Sequence, residues 1–212
     1  MILAIAILCG FVFLPSSAEA TLITIQIEAV VDSVEDRGPG DGYLEGKIKA
    51  GDVITGFYVY ESTTPDSSPL DAVQGNYWHY APPAGIALTV GGFNFMTDPF
   101  NIAFHVAIRN NNLSGDDSYW LASHNNLLLS NGTPVATISW WLYDPTGNAL
   151  SSDALPTTSP ILNEWQINDL RLETLRMFWI DAHVTTLILI PEPCTILLFG
   201  LCGFMLIRRN KK

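Results

Sequence analysis

Apolar and polar residues alternate along most of this chain with a period of two, the pattern of strands that bury one face. The first such stretch is Thr21 to Val34. Leu22, Ile23, Ile25 and Ile27 give way to Val30, Val31 and Val34, which implies a register break near Ala29. Val53 to Tyr60 is β-branched and aromatic, the composition that strands favour. Ile86 to Val90, then Gly91-Gly92, then Phe93-Asn94-Phe95 reads as strand, two-residue turn and strand, the clearest hairpin in the chain. Ile102, Phe104, Val106 and Ile108 alternate with Ala103, His105 and Ala107, predicting a half-buried strand. Val135 to Tyr143 predicts a strand buried on both faces around Trp140-Trp141, and Trp165 to Leu172 with Met177 to Ile190 supply the last two or three.

Gly-, Pro- and Asn-rich clusters separate these runs, at 37–42, 64–69, 110–117, 131–132, 144–148 and 151–160. No stretch offers a convincing amphipathic helix, and no repeat of solenoid or propeller length is present. The expected fold is therefore all-β: a single antiparallel β-sandwich or jelly-roll-like domain over residues 21–188.

The two ends follow a different pattern. Ile2 to Leu14 is almost wholly apolar and is followed by Pro15-Ser16-Ser17 and by Ala18-Glu19-Ala20. An apolar run, a breaker and small residues at Ala18 and Ala20 read as a secretory signal peptide, residues 1–20, cut after Ala20. This one departs from the usual form in having no Lys or Arg ahead of the apolar run. At the other end, Pro191-Glu192-Pro193 precedes the apolar run Cys194 to Ile207, and Arg208, Arg209, Lys211 and Lys212 follow it. Basic residues after an apolar stretch hold that end in the cytoplasm, which leaves the middle of the chain outside. Fourteen apolar residues make about 21 Å of helix against a hydrocarbon core of roughly 30 Å, so a short transmembrane helix is expected. Taking in Leu187 to Ile190 would lengthen it but would place Glu192 among lipid tails.

Pro191, Glu192 and Pro193, the apolar run and the basic end together resemble the PEP-CTERM sorting signal of Gram-negative bacteria, here over residues 189–212. The resemblance implies a substrate of exosortase, a membrane enzyme thought to process the anchor and release the protein to the surface, and an association with exopolysaccharide production. Val53 to Tyr60, Thr64-Pro65-Asp66, Ser152 to Thr158 and Val184 to Leu187 are similar to a recurrent ectodomain type among such proteins, one that brings no activity with it.

Charge and cysteine usage narrow the function. The 212 residues carry 10 Lys and Arg against 21 Asp and Glu, a net charge of −11. Between Thr21 and Ile190 six basic residues face nineteen acids, a balance of −13 that opposes nucleic acid. Cys9, Cys194 and Cys202 all lie in the end segments, so the middle has no disulfide framework, no Cys-ligated zinc and no thiol nucleophile. His79, His105, His124 and His183 are far apart, and His105 and His183 take strand positions that suit satisfied structural imidazoles. No nucleophile elbow, phosphate loop or dinucleotide fingerprint appears, and no catalytic residue is assigned.

Two candidate sites remain. Asp36 and Asp41, with Glu35, flank a Gly-rich loop, and Asp116-Asp117 end an Asn-rich one; flexible acidic loops supply the oxygens that calcium takes. Trp78 and Tyr80, in Tyr77-Trp78-His79-Tyr80, and Trp120 after the acidic loop are aromatic faces on which a sugar ring could stack, unless they are core residues. Nineteen acids would also let a pair of carboxylates form a glycoside-hydrolysing site. The reading favoured by the sequence is an exported, non-enzymatic protein of the cell surface or extracellular matrix. It would be anchored first in the inner membrane, with an exosortase-type enzyme, the membrane and extracellular polysaccharide as partners. A calcium-stabilised carbohydrate-binding module is the second reading and a polysaccharide hydrolase the third; no cofactor other than calcium is implied.

Overall fold

The computed structural model describes residues 21–191. Ten strands follow one another: β1 Leu22–Asp36, β2 Val53–Glu61, β3 Gln74–His79, β4 Gly85–Val90, β5 Phe93–Met96, β6 Phe104–Arg109, β7 Asp117–Ser123, β8 Thr137–Asp144, β9 Ile167–Thr174 and β10 Phe178–Ile190. Among the described residues the helical content is a single 3-10 turn, Leu162–Glu164, and no helix is long and apolar enough to cross a membrane. The expected signal peptide with Ala18 and Ala20, and the tail from Glu192 through Pro193 to Arg208, Arg209, Lys211 and Lys212, lie outside the described residues.

All ten strands join one antiparallel sheet in the order β3-β6-β7-β8-β9-β10-β1-β2-β4-β5. The all-β antiparallel architecture expected from the alternation is present, as one continuous ladder. That ladder curls until its inner face meets itself. Tyr58 on β2 lies 6.2 Å from the ring of Trp140 on β8, and the Tyr119 hydroxyl on β7 donates to that of Tyr58 at 3.3 Å, although three strands separate β2 from β8. Inside the curl Ile25, Ile27, Ile54, Phe95, Phe104 and Trp140 are all fully buried. Each removes roughly 1.5–3 kcal/mol worth of apolar surface from water, which is the main term holding the curl closed.

The expected register break near Ala29 is not in β1: Ile23, Ile25, Ile27, Ala29 and Val31 are all buried in unbroken alternation. The shift between Glu28 and Ala29 leaves Thr185 of β10 unpaired, and the unpaired residue of β1 is Asp32, three positions on. The hairpin of β4 and β5 pairs Val90 with Phe93 across Gly91 and Gly92, whose φ of 58° and 80° suit a two-residue turn. The expectation for the Trp140-Trp141 strand also needs correcting. Trp140 and Trp141 are not both buried: β8 alternates strictly, so Trp140 is 0% exposed and Trp141 is 38% exposed on the opposite face. Leu187 to Ile190, at the end of the stretch read as the last strand, are strand residues paired with Ile27 to Thr24 of β1. That pairing also brings the start of β1 beside the end of β10, so the chain enters and leaves the sheet at one end.

Candidate functional site

The site grows out of the outer face of five neighbouring strands. On β3, β6, β7, β8 and β9 one set of alternate residues fills the core, and the other set is turned away from it. Register aligns those outward residues into rows across the sheet. One row runs Asn76, Ala107, Trp120, Trp141, Asp169, and the next runs Trp78, His105, Ala122, Ser139, Arg171. A third runs Gln74, Arg109, Ser118, Tyr143. Small residues (Ala107, Ser118, Ser139) lie beside large aromatic ones, so the floor sinks between ring walls. The result is an open groove of about 580 Å³ whose lining includes Asn76, Arg109, Trp120, Trp141, Asp169 and Arg171.

The rings are ordered. Trp78 stacks on His105 with centroids 4.2 Å apart and planes 4° apart, and on Tyr80 at 6.0 Å and 5°. His105 meets Trp120 edge to face at 5.2 Å and 84°, while Trp141 and Tyr143 lie 5.5 Å apart. Trp78 and Tyr80 line a separate cleft of about 290 Å³, and Trp78 stacks on His105, which lines the groove. Of the three aromatic residues singled out from the sequence, Trp120 thus stands in the groove and Trp78 and Tyr80 beside it. Trp78 and Trp120 are half-buried outward residues, and Tyr80 is 69% exposed. None of the three is a core side chain.

His105 is buried beneath this aromatic layer, and neither ring nitrogen has a hydrogen-bond partner. The expectation of a satisfied structural imidazole fails there because its neighbours across the face are rings, not polar groups. Burial, reinforced by nearby His124, pushes its pKa down to about 4, so the ring is neutral at pH 7. Buried His79 behaves alike, pushed down to about 4 by burial and then by His105; its Nδ1 contacts the Thr64 hydroxyl at 3.0 Å, and its Nε2 has no partner. His183 does fit the satisfied reading, with Nδ1 2.7 Å from an Asp32 carboxylate oxygen.

The four aspartates singled out from the sequence lie in or beside loops outside the groove lining, and three of the four are engaged by their own loop or its neighbours. Asp36 accepts backbone N–H bonds from Gly38, Tyr43 and Leu44 at 3.0, 2.9 and 2.7 Å, pinning the segment after β1. Asp117 accepts from the backbone of Asn111 and Leu150 at 2.8 and 2.7 Å. Asp116 is held by the Asn112 side-chain amide and, at 3.3 Å, by the Tyr143 hydroxyl. Asp41 is exposed on the loop that Asp36 fastens. Among the described residues no three His, Cys, Asp or Glu side chains converge as metal ligands.

The sequence reading did not single out Gln74, Asn76, Arg109, Ser118, Trp141, Asp169 and Arg171 as site residues. The signal was there for most of them, as the polar phase of strands whose apolar phase was recognised; what was missing is which strands are neighbours. No family model matches the chain, and neither does any curated protein or solved structure.

Proposed function

We propose that this is an exported, non-enzymatic surface or matrix protein whose β-domain binds carbohydrate on the outer face of β3 and β6–β9. The observation that carries the reading is the row of Trp120 and Trp141 in an open groove rimmed by amide, hydroxyl, guanidinium and carboxylate groups. Large rings left half-exposed side by side cost hydration that a soluble domain ordinarily avoids, and a sugar ring stacked on them recovers it. Polar groups on alternate positions then meet its hydroxyls. Binding is favoured over hydrolysis because the groove lining holds one carboxylate, Asp169, and the adjacent Asp181 is tied to Arg171 at 2.7 Å.

Sorting through a PEP-CTERM anchor agrees with the exit of the chain. Leu22, Ile188, Leu189 and Ile190 are exposed apolar residues, and they cluster where β1 begins and β10 ends, directly before Pro191. A domain held close to a bilayer at that end could keep such side chains out of water. In this reading the curled sheet is a sandwich-like ectodomain, the tail a temporary inner-membrane anchor, and an exosortase-type enzyme its processor. A calcium-stabilised version of the same binding module is the second reading, with Asp36, Asp41, Asp116 and Asp117 as the ligands to test.

A panel of neutral and acidic polysaccharides tests the reading, with binding and reducing-end release both measured on the full chain in uncharged detergent. Binding that Trp120→Ala abolishes, without reducing-end release, is the expected result. Binding to no polymer overturns the carbohydrate reading, and sugar release would make the protein a hydrolase.

A further inference from the structure

We propose that the ligand of the groove is an acidic glycan, with a carboxylate or sulfate held by Arg109 while a neighbouring sugar ring lies on Trp120 and Trp141. The inference rests on the carbohydrate reading and adds the chemical class. Arg109 stands at one end of the groove, on β6 beside the edge strand β3. Its Nε and Nη2 both donate to Gln74 Oε1, at 3.0 and 2.6 Å. Gln74 is neutral, so it fixes the guanidinium plane without cancelling its charge. Among the described residues Arg109 forms no ion pair, whereas Arg37, Lys47 and Arg171 each have an acidic partner.

Lys49 and Arg176 are likewise without an ion pair among the described residues, but of these three cations Arg109 alone lines the groove. The described domain is strongly acidic, with six basic residues against nineteen acids, and yet two of the six line this groove. The acid of the groove, Asp169, lies on β9, three strand spacings from β6, or about 14 Å. Charges that far apart across solvent are largely screened at about 0.15 M salt, so an anion at Arg109 need not meet Asp169. Asp116, in the loop just before β7, is already engaged by Asn112 and Tyr143. A planar guanidinium held by one edge offers its remaining N–H groups as a fork, the geometry that matches a carboxylate or sulfate. Ser118, directly opposite Arg109 in register, adds a hydroxyl.

The test titrates the full chain in uncharged detergent with polygalacturonate, dextran sulfate and neutral dextran at constant ionic strength. The wild type should bind at least one acidic polymer about tenfold or more tighter than dextran, the order expected of one charged hydrogen-bonded contact. Polygalacturonate and dextran sulfate decide between carboxylate and sulfate. R109Q should fall to the dextran level with an unchanged melting curve. R109K, which keeps the charge but loses the fork, should lie between, and K49Q on an exposed loop should bind like wild type. Equal binding of dextran, or an R109Q variant that still prefers the acidic polymer, overturns the inference and leaves the carbohydrate reading standing. Binding to none of the three overturns both.

Discussion

Adjacent residues Trp140 and Trp141 offer the sharpest separation between what holds this domain together and what it presents. Trp140 is fully buried, packs on Tyr58 and Tyr119, and donates its indole N–H to Asn168 Oδ1 at 2.8 Å. Trp140→Ala removes that buried volume, at a cost of about 3–5 kcal/mol for a large aromatic cut to Ala. Asn168 is not orphaned, because it still exchanges two hydrogen bonds with the Val184 backbone at 2.7 and 3.2 Å, so the cavity dominates. Trp141 keeps 38% of its surface in solvent, and truncating it opens no enclosed cavity. Trp141→Ala should therefore cost about 1 kcal/mol or less. In guanidinium denaturation of the full chain in detergent, the Trp140 variant should lose about 1 M in midpoint and the Trp141 variant a small fraction of that. Glycan binding should show the reverse, surviving at low denaturant in whatever Trp140 variant folds and falling at least tenfold in Trp141→Ala. Equal stability losses would refute the assignment of faces. Unimpaired binding in Trp141→Ala would refute the role of the groove.

The remaining expectations concern charge and sorting. Because folding lowers the pKa of His79 and His105 to about 4 from the ordinary 6.5, the unfolded chain binds more protons between those values. Stability is then retained above about pH 6.5 and lost as the pH falls toward 4; melting temperatures across pH 4–8 should show this, and a His79→Gln, His105→Gln variant should flatten the profile. Asp36→Ala leaves three backbone N–H groups without their acceptor and should lower stability by about 2–3 kcal/mol, read by chemical denaturation. Since Asp36, Asp116 and Asp117 already accept from N–H donors, EDTA should leave the melting temperature unchanged; a drop of several degrees would instead support the calcium-stabilised reading. Replacing Pro191, Glu192 and Pro193 by Ala should keep the protein in the membrane fraction and out of the medium, checked by fractionation and by the mass of the released chain; unaffected release would reduce the tail to a plain anchor.

Strand positions were legible in the sequence wherever one face is greasy and the other is not. The position of β1, the β4–β5 hairpin and β6 could be read from local pattern alone, because side-chain period and turn chemistry are local properties. The break expected near Ala29 misled, because the apolar Val30 stands on the outward phase while the small Ala29 fills the inward one. Trp141 could not be read that way, since Trp140-Trp141 has no apolar–polar contrast, and only the neighbours in space separate an inward ring from an outward one. His105 misled for the related reason that its surroundings, Trp78 and Trp120, come from two other strands. The groove as a whole required the order β3-β6-β7-β8-β9, which places β3 beside β6 and not beside β2 or β4. Nothing in the local sequence specifies that pairing; it is set by how the inner face closes on itself. Loop acids were recognised as a group, but whether they bind a metal or their own backbone depends on loop conformation, and Asp36 and Asp117 bind backbone.

Oxidative footprinting of the tryptophans in the full chain, read by mass spectrometry with and without a saturating bound polysaccharide, addresses the working surface most directly. Trp78, Trp120 and Trp141 should each become protected, while Trp179, which lies under the Arg37 guanidinium at 4.5 Å on β10, should oxidise at the same rate in both samples. Protection confined to Trp179, or no change at Trp120 and Trp141 while the polysaccharide is demonstrably bound, would place the ligand elsewhere and contradict the account.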